Sequence, residues 1–145
     1  SFVLGLDADT KDTFHKTCEW IVKNRIETVT SHILTPYPGT ILYKRLQEEN
    51  RITSHDLSLY NTSHVVFKPK NMTAKELSDG YLWLYKNVYS LKNIIKRLPE
   101  AKAQRSAYLM FNLFYRKWGR FSDFLCKAIT YRRIGWIGEK LSRYL

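Results

Sequence analysis

The chain has 145 residues, a formal net charge of +11 and 44% hydrophobic residues. That is the length of one domain, or of one domain with a tail, and the apolar share is too high for a disordered chain. No apolar run reaches the ~18–20 residues of a membrane span, and Ser1-Phe2-Val3-Leu4-Gly5-Leu6-Asp7 lacks the basic start of a signal peptide, so a cytoplasmic location is expected.

The charge is uneven. Residues 1–98 hold 14 Lys/Arg and 10 Asp/Glu, while residues 99–145 hold 10 and 3. The tail is therefore the basic part of the chain.

Phe2 to Leu6 is a short continuous apolar run, the pattern of a strand buried on both faces. Asp7-Ala8-Asp9-Thr10 reads as a loop ending in a helix cap, with Asp9 expected to accept from the amide of Asp12. Phe14, Cys18, Ile21 and Val22 then lie on one face of a helix over 11–23, and Asn24 stops it. Thr28 to Leu34 is rich in β-branched residues and reads as a second strand. Strand, helix and strand make a βαβ unit, so the two strands should be parallel.

Pro36 and Pro38 stop the second strand, and Thr40 caps a short helix over 41–49. Residues 53–63 form a loop, and His64-Val65-Val66-Phe67 reads as a third short strand. Thr73 and Glu76 form a capping box. The helix they open carries Leu77, Tyr81, Leu84, Val88, Leu91, Ile95 and Leu98 at steps of four and three, up to Pro99. Trp83, Tyr85 and Tyr89 widen that face, which favours packing on the domain's own sheet over a coiled coil. Two or three further helices are expected in 99–145, with a stripe at Phe121, Phe124, Leu125, Ala128 and Ile129 and a break near Gly135 and Gly138.

No nucleophile–base pair, metal cluster or phosphate loop stands out. Cys18 and Cys126 are far apart, have no ligand partners at metal spacing, and read as buried free thiols. An iron–sulfur cluster needs three or four thiolates at one point, so no metal site is expected in this chain. The four histidines are scattered, but His32 and His64 sit on expected strands. Two loops follow the carboxyl ends of the parallel strands, Gly5 to Thr10 and Thr35 to Thr40, and that is the edge where α/β folds hold ligands. Gly5 would let a flat ligand approach the backbone, and Asp7 and Asp9 offer carboxylates to hydroxyls or an ammonium group. Ordinary βα turns with a cap explain the same residues.

Gly5-Leu6-Asp7-Ala8-Asp9-Thr10 after an apolar strand resembles the Gly-Phe-Pro-Gly-Glu-Thr segment of radical S-adenosylmethionine (SAM) barrels. Leu34-Thr35-Pro36-Tyr37-Pro38-Gly39-Thr40, followed by Leu42-Tyr43, is similar to their Pro-x-Pro-Gly-Thr segment. His64 to Pro69 with Met72-Thr73 and Glu76-Leu77 resembles the subgroup that carries an upstream cobalamin-binding domain.

The resemblance covers residues 1–97. It implies an α/β fold, the last βα units of a partial (β/α)6 barrel with about three strands over 1–98, followed by a basic, aromatic-rich α-helical extension over 99–145. It implies that Leu4, Gly5, Asp7 and Asp9 lie on the SAM side, and that His32 with Thr35, Pro36, Tyr37, Pro38 and Gly39 forms the substrate-side mouth. It departs from the family at Asp7 and Ala8, where Pro-Gly is frequent, and at Asp9, where Glu is usual.

In such enzymes three cysteines bind a [4Fe–4S] cluster, and the cluster cleaves SAM to a 5′-deoxyadenosyl radical. The resemblance therefore implies a parent enzyme using SAM, a [4Fe–4S] cluster and cobalamin for methylation or another radical oxidoreduction. This chain would be a carboxy-terminal fragment of it, holding no cofactor and catalysing nothing alone. Its partners would be the amino-terminal remainder of its own chain and a small-molecule or lipid substrate.

A different class of reading rests on the tail. Tyr115-Arg116-Lys117-Trp118 and Tyr131-Arg132-Arg133 interleave charge with aromatics, as in modules that bind single-stranded nucleic acid or lie on an anionic membrane surface. A helical cap with a solvated basic face is the plainer expectation.

Overall fold

The computed structural model describes residues 1–128, with side chains through residue 117. The expected break near Gly135, the Tyr131 to Arg133 run and the Cys126 side chain lie outside that description.

Strand β1 (Phe2–Leu4), helix α1 (Lys11–Lys23) and strand β2 (Ser31–Ile33) form the expected βαβ unit, with parallel pairing of Phe2 with Ser31, Val3 with His32 and Leu4 with Ile33. Helix α2 (Ile41–Glu48), a 3-10 turn (Leu57–Leu59), and helices α3 (Ala74–Val88), α4 (Leu91–Lys96) and α5 (Lys102–Ala128) follow. The class is α/β, but mostly helical.

Period-two alternation decides which side of the sheet is covered. Leu4, Ser31 and Ile33 are buried, and Leu4 and Ile33 join one core with Phe14, Cys18 and Ile21 of α1 and Leu77, Leu84 and Val88 of α3. Val3, paired with His32, is 48% exposed. α1 and α3 touch so closely that a Cβ on Gly80 would overlap the Phe14 ring. Lys11 and Glu76 tie their amino-terminal ends at 2.6 Å.

The edges of the sheet are unequal. In a parallel pair, alternate residues of each strand face one neighbour. Phe2 donates to Thr30 O and Leu34 donates to Leu4 O, so residues 30 to 34 serve β1 with their even members. The odd members face the other way, and each is already satisfied. The Tyr89 hydroxyl donates to Val29 O and accepts from Val29 N, the Tyr85 hydroxyl does the same with Ser31, and Ile33 N donates to Thr62 O at 2.7 Å. β2 is therefore closed as a terminal strand. On β1 the remaining edge, the backbone of Val3, meets no partner among the described residues.

The third strand expected at His64–Phe67 does not join this sheet. Phe67 makes an isolated antiparallel bridge with Ile52, flanked by bonds from Thr53 N to Val66 O and from Lys68 N to Arg51 O. The physical reason is the saturated outer edge of β2. Val66 and Phe67 are fully buried by packing instead. The described sheet has two strands, not about three.

The long helix expected from Thr73 to Leu98 is two helices. Its capping box is present, with Thr73 Oγ1 accepting from Glu76 N and Glu76 accepting from Thr73 N. It ends at Tyr89, because Ser90 caps α4 and donates its hydroxyl to Asn87 O at 2.8 Å. The break rotates the pattern, so that Ile94 is buried while Leu91 and Ile95 are 48% and 67% exposed.

The corner is held by Arg97, whose side chain is fully buried. Its guanidinium donates to Ile26 O, Glu27 O, Val88 O and Asn93 O, and to Asn112 Oδ1 on α5. The first turns of α5 join the same core, with Tyr108 donating to Ile94 O and the Tyr115 ring stacked 4.5 Å from Tyr89. α5 runs unbroken through Gly119, where shorter helices were expected. No helix among the described residues is long and apolar enough to cross a membrane.

Candidate functional site

The candidate site is the carboxyl edge of β1 and β2, with the uncovered face of the sheet. Its first loop is folded by its own acids. Asp9 does not cap α1 through Asp12, as the sequence suggested. Its Oδ2 turns back and accepts from Gly5 N at 2.8 Å and Leu6 N at 2.9 Å, and Thr10 takes the N-cap position of α1. One carboxylate oxygen holding two amides closes the loop as an anion nest would.

Gly5 is required twice over. Its φ is +96°, and a Cβ there would lie 2.7 Å from Leu77 Cδ2 and 3.3 Å from Phe67 Cζ. The place of the missing side chain is thus filled by the core. Leu4 also points its side chain into that core.

Asp7 is clamped. Its Oδ1 accepts from Arg51 at 2.9 Å, its Oδ2 from Arg45 at 3.0 Å, and its carbonyl from the Asn71 amide at 2.8 Å. The Arg51 hydrogen bond, reinforced by the charges of Arg51, Arg45 and Lys70, holds the carboxyl below its ordinary pKa. Arg51 is itself gripped by Glu49 at 2.8 Å and donates to Lys68 O. Since Arg45 lies on α2 and Arg51 just after it, Asp7 ties the first loop to the chain that leaves the second.

The second loop is a turn with Pro38 and Gly39 at its centre. Thr40 N donates to Tyr37 O, and Gly39 has φ +87°, the geometry of a type II turn. Thr40 Oγ1 accepts from Tyr43 N, so the expected cap of α2 is in place. Thr35 Oγ1 donates to Ile33 O, Pro36 is buried, and Tyr37 is 47% exposed with its ring 6.5 Å from Tyr60.

His32 lies on the uncovered sheet face, half-buried, with Nδ1 3.2 Å from Thr62 Oγ1. Thr62 has φ +63°, a strained value for a β-branched residue, and is fixed there by the bond from Ile33 N. His64 Nδ1 donates to Asn61 Oδ1 at 2.8 Å. These loop partners, like Arg45, Arg51 and Asn71, carried no motif in the sequence.

The implied cofactors divide. A [4Fe–4S] cluster does not fit the described residues, which contain no group of three or more His, Cys, Asp or Glu able to hold a metal. Cys18 is buried, and burial pushes its thiol pKa up, the opposite of a ligand thiolate. For SAM, the carboxylates of Asp7 and Asp9 already serve the loop itself. What the edge still offers is backbone, the Tyr37 ring and the polar groups beside His32.

Residues 40–131 match the family model described as a domain of unknown function, DUF4070. Bacteriochlorophyllide d C-12(1)-methyltransferase of Chlorobaculum tepidum is 33% identical over 97 residues, covering 67% of this chain and 21% of that protein. The anaerobic magnesium-protoporphyrin IX monomethyl ester cyclase of Cereibacter sphaeroides is 29% identical over 109 residues, covering 75% of this chain and 18% of that protein. Bacteriochlorophyllide d C-8(2)-methyltransferase of Chlorobaculum tepidum is 31% identical over 97 residues, 67% of this chain and 22% of that protein. The chain thus spans about a fifth of the length of these curated relatives. No solved structure matches it. The relatives support the kinship with radical SAM enzymes that the two loops implied. With the family model spanning more than half of its length, the chain belongs to the family of the domain of unknown function DUF4070.

Proposed function

We propose that this chain is the closing wall of a partial radical SAM barrel within a larger enzyme, and that the parent reaction is cobalamin-dependent methylation or another radical oxidoreduction. The observation that carries it is the unequal sheet. β2 is sealed on its outer edge by Tyr85, Tyr89 and Thr62, while the Val3 edge of β1 is unpaired and the Val3–His32 face is uncovered. A parallel sheet ordinarily has both faces covered. A wall built to end at β2 and continue beyond β1 suits the last strands of an open barrel.

In this reading the two loops and the Val3–His32 face line the SAM and substrate pocket. SAM, when bound, supplies the radical chemistry, and the cluster is held by residues outside those described. The residues of this chain bind and orient: the Asp7–Arg45–Arg51 clamp sets the loops, Gly5 lets the first loop sit on Leu77, and Thr62 orients His32. The test is the full-length protein, reconstituted without oxygen and given SAM and a reductant. Formation of 5′-deoxyadenosine is expected, and its absence from a protein with a full iron content overturns the reading. Methyl transfer that proceeds equally without cobalamin overturns the cobalamin part alone.

A further inference from the structure

α5 has one face too many for a helix that only caps a domain. Tyr108, Asn112 and Tyr115 turn inward, to Ile94, Arg97 and the Tyr85–Tyr89 stack. At 100° per residue, Met110, Leu113 and Phe114 point to the opposite side. They are 72%, 43% and 62% exposed, and Phe111 beside them is 45% exposed. Four large apolar side chains within five residues form an exposed patch, where scattered ones would need no explanation.

The charge around this patch names the partner. Among the described side chains the helix exposes Lys102, Arg116 and Lys117 and no acid, and its sequence onward to Ala128 adds Arg120 and Lys127 against Asp123. Two copies of so basic a helix repel each other when laid face to face. Phe111 and Phe114 have π faces on which a nucleic-acid base could stack, but Met110 and Leu113, the other half of the patch, have none. A helix with an apolar stripe and a cationic surround, lying in the plane of an interface, matches an anionic lipid surface on both counts.

We propose that the outer face of α5 seats this protein on an anionic membrane surface, with Met110, Phe111, Leu113 and Phe114 entering the headgroup layer and Arg116 and Lys117 meeting lipid phosphates. The proposal is independent of the radical SAM reading and stands if that reading falls.

The test is co-sedimentation of the full-length protein with vesicles. Pelleting is expected with equal parts phosphatidylcholine and phosphatidylglycerol at ~50 mM salt, with release by ~500 mM salt as screening shortens. Phosphatidylcholine alone should not pellet it. M110D with F114D should lower the bound fraction roughly tenfold, since two apolar anchors are lost. Met110 is 72% exposed, so M110D alone should weaken binding and leave the circular dichroism and melting curve unchanged. A lowered melting temperature in M110D without vesicle binding overturns the proposal and assigns the face to the rest of the chain. R116E with K117E should abolish the preference for anionic vesicles. The proposal is overturned by no pelleting on anionic vesicles at low salt, or by equal pelleting of M110D/F114D. A dimer that M110D/F114D dissolves, or salt-sensitive binding of single-stranded RNA, either without vesicle binding, also overturns it and assigns the face to that partner.

Discussion

The hydroxyl of Tyr89 does for Val29 what a neighbouring strand would do, donating to its carbonyl at 2.7 Å and accepting from its amide at 3.3 Å across 60 residues of sequence. Tyr85, one turn earlier on α3, does the same for Ser31. The pitch explains the fit: four helical residues rise about 6 Å and two strand residues about 6.6 Å. A single α-helix thereby seals a strand edge, with side-chain hydroxyls in place of a ladder.

Tyr89→Phe should remove both bonds and leave a buried amide and carbonyl unpaired. A loss of about 1–3 kcal/mol is expected in denaturant unfolding. Hydrogen exchange is the more specific readout. The Val29 amide should exchange faster in Tyr89→Phe, the Ser31 amide faster in Tyr85→Phe, and each should leave the other's amide protected.

Arg97 carries a positive charge into the core without a carboxylate among the described residues, balanced by carbonyls that include Ile26 in the loop after α1 and Val88 at the end of α3, where the helix dipole is negative. Arg97→Met keeps the length but orphans those carbonyls and Asn112, so a loss of about 3 kcal/mol or more is expected. Arg97→Lys should rescue little, because a point charge cannot reproduce the fork. Thermal unfolding of the three proteins checks this.

Gly5→Ala places a side chain 2.7 Å from Leu77 at a positive φ. Strain and overlap together should cost about 2–4 kcal/mol. Leu77→Ala in the same chain should relieve the overlap but not the φ strain, so the pair should be less destabilised than the sum of its parts. Additive losses in a double-mutant cycle would contradict the contact.

Two carboxyls contribute to the acid limit of stability. Glu76 is held at a pKa of about 2, chiefly by Lys11 and then by the Thr73 amide, and Asp7 is held low chiefly by Arg51. Their folded values lie below the ordinary carboxylate value of about 4, so their contribution is present above that value and is lost as pH falls through the folded values. Stability should therefore fall steadily from about pH 5 to pH 2. Glu76→Gln should be less stable than wild type at neutral pH, and the two should converge near pH 2, in denaturant titrations at each pH.

The parts legible in the sequence were those whose signal and partner lie close along the chain. The Thr73–Glu76 box, the Thr40 cap, the stripe of α1 and the parallel βαβ unit all depend on residues a few positions apart or on a repeating pattern. The same pattern ran through Leu91 and Ile95 and misled, because one hydroxyl at Ser90 was enough to end the helix and rotate the face.

By itself, then, the sequence determined the elements that flank the two loops after β1 and β2, the capped helices and the free, buried Cys18. Only the tertiary structure decided that β2 is a terminal strand, that His64–Phe67 stays out of the sheet, and that Asp7 and Asp9 serve the fold of their own loop. The reason is distance along the chain. Hydroxyls 54 and 60 residues from β2 saturate its edge, and an arginine 44 residues from Asp7 takes its charge. Such pairings leave no spacing to read, because they are set by where packing brings α3 and α2.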